Sequence, residues 1–255
     1  MALIALASAS GSPGVTTTAL GLALLWPRPV LLVEADPTGG FGLLAGYFRG
    51  TRAYGAGLVE LALTASEVAD ALADVAQPIE GSQASFVAGS RSHTQVSALR
   101  DLWQPLAEAL AGLEPTGQDV IVDAGRLGLN GSPEPLLAGA DLTLLLTRTT
   151  LPALSAIRSW ADSLQHGTFE WQQSGVLLVG EGQPYNTREV ADVLKLPVIA
   201  ALADDPGSAA VFHRGAAPPR HLETGALARS LHAAIAAIHA SVTRRRIELL
   251  EGTPS

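Results

Sequence analysis

The chain has 255 residues, 47% of them hydrophobic and 16% charged, with 24 acidic side chains against 16 Lys and Arg and a formal charge of −8. That length suits one large α/β domain with a sizeable core, and the apolar, charge-poor composition favours a buried sheet. There is no cysteine, which excludes disulfides, thiolate metal sites and thiol nucleophiles; the single lysine, Lys195, and the acidity argue against nonspecific DNA binding, which needs clustered cations on phosphates.

In chain order, "ALIALASA" (2–9) is a short apolar run that enters a Gly/Ser/Pro cluster, the pattern of a buried strand reaching a turn. "TTTALGLALLW" (16–26) has helix length and is stopped by Pro27 and Pro29. "PVLLVEAD" (29–36) is a second buried strand closed by "PTGG". Helices are expected at 56–63 and 65–76, a strand at 84–88, and a helix near 95–112. Then come strands at 118–125 ("QDVIVDAG") and 140–147 ("ADLTLLLT"), a helix at 151–165, a strand at 174–182, a helix at 186–195 and a strand at 196–202. The segment 213–225 reads as a loop. Residues 226–250 read as one helix with Leu227, Leu231, Ile235, Ile238 and Val242 on one apolar face.

Apolar strands alternating with helices imply an α/β fold: a doubly wound, mainly parallel sheet with helices on both faces. The expected organisation is one domain over 1–225, a helix at 226–250 packing on it, and a tail at 251–255. No apolar run approaches the roughly 20 residues that cross a bilayer, and no charged leader precedes "MALIALASAS", so a cytoplasmic location is expected.

Chemistry concentrates in "SGSPGVTT" (10–17), set between the first strand and the first helix. In a phosphate-binding loop, glycines let backbone N–H groups converge on phosphate oxygens. The next helix adds its positive end, a lysine adds a point charge, and Ser/Thr holds magnesium. Here Gly14, Thr16 and Thr17 stand in order, but Val15 occupies the lysine position and Ala9 the first glycine of the generic G-x-x-x-x-G-K-[ST]. The loop therefore fails the bare pattern while keeping its context of strand, loop, helix and acid-ended strand.

The loop resembles that of the ParA/MinD family of deviant phosphate-loop ATPases, K-G-G-x-G-K-T-T. It keeps Gly11, Gly14, Thr16 and Thr17, while Ser10 and Val15 replace both lysines and Ser12 the second glycine. "VLLVEADPTGG" (30–40) is similar to the family's V-L-L-I-D-x-D-P-Q-G, "QDVIVDAG" to its Y-D-x-V-I-I-D-x-P, and "IAALADDPGSAAVFHRGAAP" (199–218) to its final strand and the loop beside the base. The resemblance implies ATP with magnesium as cofactor. Gly11, Ser12, Gly14, Val15, Thr16 and Thr17 then face phosphate, and Asp204 lies near the base. Thr16 and Asp123 serve the metal, Asp36 positions the attacking water, and Glu34 stands for the first acid of D-x-D. Gly180 replaces an asparagine that reads adenine in many relatives.

Plainer readings stand beside these. Acids at strand ends are often only solvated, Thr16 and Thr17 could cap the helix, and Val15 either fills apolar space beneath the helix or faces an empty cleft. The missing lysine removes a unit charge near the phosphates, an interaction of about 4 kcal/mol at 4 Å and an effective dielectric near 20. Hydrolysis suffers more than binding, because charge develops in the transition state.

Two functional readings follow. The first is a degenerate ParA/MinD-like factor that positions a partner machine of the pilus, secretion or partition type, as in the TadZ/CpaE branch. It would bind ATP weakly or not at all, with little hydrolysis and without an ATP-gated homodimer. The second is an ATPase in which Arg28, Arg49, Arg52, Arg126 or Arg148 replaces the lysine, Arg126 being best placed. A protein partner is expected, specific nucleic acid is not, and membrane contact would be peripheral at most. The six histidines show no metal-ligand spacing and no G-x-S-x-G elbow occurs.

Overall fold

The computed structural model describes residues 1–10, 12–39 and 42–251. Among the described residues eight strands form one sheet: β1 (Leu3–Ser8), β2 (Val30–Glu34), β3 (Gln77–Pro78), β4 (Ala84–Val87), β5 (Asp119–Arg126), β6 (Leu142–Arg148), β7 (Ser174–Val179) and β8 (Val198–Leu202). Their order is β3-β4-β2-β5-β1-β6-β7-β8. Every pairing is parallel except β3 with β4.

The strands alternate in which face they feed, because successive side chains leave a strand on opposite sides. Leu3, Ala5, Leu31, Val33, Val120 and Val122 join one apolar cluster; Ile4, Leu6, Val30, Leu32 and Ile121 join the other. The first cluster is covered by α2 (Leu58–Leu63), α3 (Val68–Val75), α4 (Trp103–Ala111), α5 (Glu134–Ala138), α6 (Leu151–Gln165) and α7 (Thr187–Leu194). The second is covered by α1 (Val15–Leu25), α8 (Pro206–Arg214) and α9 (Ala226–Glu251). The doubly wound α/β expectation holds.

α1 is apolar almost all round because it lies between the sheet and α9. Gly21 lets Leu231 of α9 come close: a Cβ there would fall 3.0 Å from Leu231 Cδ1. The helix stops where Trp26 turns extended ahead of Pro27. On α9 the expected face is buried, with Leu227, Leu231, Ile235, Ile238 and Val242 all in the second cluster. Among the described residues no helix is long and apolar enough to cross a membrane.

Three expectations need correction. Residues 95–112 are not one α-helix: a 3₁₀ stretch, Val96–Leu102, precedes α4. Pro105 has no N–H, so it is tolerated only in a first turn, which sets the α register at Trp103. The supposed loop 213–225 begins inside α8, whose start is set by Asp205 accepting from the Ser208 N–H at 3.1 Å, with Pro206 at the first helical position. The strand expected at 174–182 ends at Val179, and Gly180 and Gly182 take positive φ in the turn that follows. A π-helical turn at Gly42–Tyr47 and the short α5 were not foreseen.

The N-terminal edge of β1 is pinned by two carboxylates. Asp119, fully buried, accepts from the Ala2 N–H at 2.6 Å, from Trp26 Nε1 at 2.7 Å and from the Arg28 guanidinium at 2.7 Å. Asp141 accepts from the Leu3 N–H at 2.8 Å and pairs with Arg246 of α9 at 3.1 Å.

Candidate functional site

The loop leaves β1 at Ser8 and enters α1 at Val15. Gly14 is the N-cap, with φ 103°, a conformation that a side chain disfavours. Among the described residues no side chain caps the helix, so its first-turn N–H groups are left for another acceptor. Thr16 and Thr17 are the second and third residues of the helix, past the cap position, which removes that reading of their hydroxyls. Val15 is 7% exposed and packs in the apolar cluster with Ile4, Leu6 and Leu20. Both of its readings hold in part: the side chain is buried, and the residue also borders the main cleft. Gly11 lies outside the described residues.

Three acids, two at or just after the end of β2 and one within β5, gather beside this loop. Glu34, at the end of β2, is buried, and its carboxylate accepts from the Leu43 N–H and the Gly89 N–H, both at 3.0 Å. It thereby ties the π-helical turn to the segment after β4. Burial pushes its pKa up; the Gly89 and Leu43 N–H groups oppose this and the Asp36 charge adds to it. Asp36 Oδ1 accepts from the Thr38 N–H and the Thr38 hydroxyl, both at 2.8 Å. Its carboxyl lies over Gly125, where a Cβ would fall 2.2 Å from Cγ. Only glycine fits at 125.

Asp123 is 2% exposed. Burial pushes its pKa up to about 7, the Thr16 hydroxyl and the Gly125 N–H opposing the rise and the charges of Asp36 and Glu34 adding to it. Its Oδ1 accepts from Gly125 at 3.0 Å, while Oδ2 is buried and, among the described residues, has no hydrogen-bond partner. Ser90 Oγ is likewise buried and without a partner among the described residues, in a small cavity of about 160 Å³ shared with Thr16, Glu34, Asp36 and Thr38. Among the described residues no group of three or more His, Asp or Glu could hold a metal ion. Thr16 and Asp123 fit magnesium only as a partial set, with phosphate and water supplying the other oxygens. The orphaned Oδ2 suits that role.

The main cleft, of about 560 Å³, runs from the loop toward α8. Ser12, Gly14, Val15, Thr16, Thr17, Asp36 and Asp204 all line it, while Asp123 is buried beside Thr16 and is not among the lining residues. At the far end Val179, Leu202, Leu227 and Leu231 give an apolar wall. Arg148 pairs there with Asp204, at 2.7 and 3.3 Å. Two residues 56 apart in sequence carry no signal of that pairing. Gly180 closes the turn above, its φ of 75° excluding most side chains and its carbonyl taking the Thr149 hydroxyl at 3.0 Å.

The five arginines separate cleanly. Arg126 and Arg148 line the cleft. Arg28 is bound to Asp119 at the opposite, N-terminal ends of the strands, Arg52 lies over Phe48 and Phe86, and Arg49 packs beside Gly215.

No family model and no curated protein matches the chain by sequence. By structure it is similar to the cell division ATPase MinD of Pyrococcus furiosus, with TM-score 0.74, 19% identity and coverage of 94% of this chain and 99% of that one. MinD of Pyrococcus horikoshii complexed with Mg-ADP gives TM-score 0.73 at 17% identity over 95% and 97%. The MinC:MinD cell division complex of Aquifex aeolicus gives 0.72 at 12% over 94% and 96%. The fold is that of the MinD ATPases over 94–95% of the chain.

Proposed function

We propose that this chain is a degenerate ParA/MinD-like factor that positions a protein partner, holds nucleotide weakly in the loop cleft and hydrolyses it slowly or not at all. The observation that carries this is Val15: it packs in the apolar cluster where the family's loop has a lysine, while Gly14, Thr16, Asp36 and Asp123 keep their places around the loop. The open N–H groups of α1 retain some attraction for phosphate. Weak binding with poor turnover follows, because the lost charge matters most in the transition state.

The solved MinD with Mg-ADP supports a nucleotide as the ligand class, and the MinC:MinD complex supports a protein as the partner class. The partner machine is of the pilus, secretion or partition kind. The site serves as a presented surface rather than a timer, and any homodimer forms without ATP. A second reading, an ATPase using arginine in place of lysine, is favoured by the presence of Arg126 and Arg148 in the cleft.

Phosphate release with magnesium and ATP separates the two. The expected result is turnover at background level, unchanged in Asp36→Ala; turnover abolished by that substitution would establish the second reading. Sedimentation velocity is expected to give the same species with and without Mg-ATP. A monomer-to-dimer shift on adding nucleotide would show that a switch operates.

A further inference from the structure

β5 carries one residue more than β1 at the level of the loop. Leu6 pairs with Asp123, but Ser8 pairs with Arg126, so two steps on β1 match three on β5. Side chains three apart on a regular strand point to opposite faces; the extra residue restores parity. Gly125, with φ 61°, absorbs the irregularity. Asp123 and Arg126 thus share the sheet face that carries α1.

The register also sets distance. The Leu127 N–H donates to the Ser8 carbonyl at 2.8 Å, so the backbone at Arg126 runs one strand spacing, about 4.8 Å, from the residue where β1 gives way to the loop. Arg126 is exposed and lines the cleft with Ser12, Gly14 and Thr16. Among the described residues its side chain makes no hydrogen bond and no ion pair. Arg148, the other arginine in the cleft, is already committed to Asp204.

We infer that Arg126 supplies, from β5, the phosphate-binding charge that the loop lacks. The inference rests on the reading that the cleft takes a nucleotide. A guanidinium offers two parallel N–H donors to phosphate oxygens, so from a neighbouring strand it replaces a lysine point charge with a directional contact. It reaches the phosphates from the Asp123 side of the cleft and leaves Val15 in its apolar cluster. Arg126 is a ligand-binding residue in this scheme, with no part in the fold.

The test is calorimetric titration of adenosine, ADP and Mg-ATP into wild type, Arg126→Ala and Arg126→Lys. Wild type is expected to bind Mg-ATP more tightly than adenosine. Arg126→Ala should weaken Mg-ATP about tenfold or more and leave adenosine unchanged; Arg126→Lys should recover part of the loss. Melting temperatures should agree among the three, since no contact of the fold is removed. An unchanged ratio of ATP to adenosine affinity in Arg126→Ala would overturn the inference and leave the nucleotide reading standing. Wild type binding Mg-ATP no more tightly than adenosine would overturn both.

Discussion

Asp119→Ala is expected to lower the stability of the protein by about 3–5 kcal/mol, the range for removing one partner of a buried charge network. The carboxylate is wholly buried and holds three donors: the Ala2 N–H, Trp26 Nε1 and Arg28. Truncation leaves the first two without acceptors in the interior, each at about 1–3 kcal/mol. Arg28 is half exposed and turns to water at little cost. The melting temperature should fall by roughly 10 °C for a domain of this size. Arg28→Ala should cost far less, because the buried donors keep their acceptor. An unfolding free energy for Asp119→Ala, from denaturant titration, within about 1 kcal/mol of wild type would mean that the network contributes little.

Asp123→Asn is expected to stabilise the protein at alkaline pH. The Asp123 carboxyl has its pKa pushed up to about 7 from the ordinary 3.8, so the folded state holds a proton that the unfolded chain releases. The associated stability is fully present below the ordinary value and is lost as pH rises through about 7. About three pKa units correspond to about 4 kcal/mol. Glu34, also shifted upward, acts in the same direction. Other carboxylates titrate over part of this range, so the quantity to read is the difference between Asp123→Asn and wild type. It should be near zero below pH 4 and approach about 4 kcal/mol in favour of the amide at pH 8, in urea titrations across that range. A difference independent of pH would show that the carboxylate does not titrate in this window.

The parts of the fold legible in the sequence were those with long, uninterrupted patterns. β1, β2 and β5 are apolar runs closed by small or acidic residues, and α6 occupies the expected span, Leu151–Gln165. The π-helical turn was hidden because "GLLAGY" has no period; it depends on Glu34 accepting from Leu43 and on close packing against the His213 carbonyl at Gly46. β3 has two residues and exists by its pairing with β4. In the site, Gly14, Thr16 and Asp36 could be placed from strand-loop-helix order. The burial of Val15 could not, since one β-branched residue fits a core or a cleft equally well. The direction of Arg126 was equally hidden, because the extra residue of β5 appears only when two strands are laid in register.

Half of the apolar wall of the cleft comes from α9. Leu227 and Leu231 of α9 line it, and Ser230 accepts from the Ala203 N–H at 3.1 Å beside Asp204. A chain growing on the ribosome therefore carries the loop, Asp36 and Asp123 long before it has the wall they face. About a hundred residues separate Asp123 from Leu227, roughly 5–20 s of synthesis. During that interval the inner surfaces of α1 and β6, both of which α9 covers in the finished fold, are open to solvent or to any chaperone that binds exposed apolar residues. The cleft is thus a late product of biosynthesis, completed only when the last helix docks.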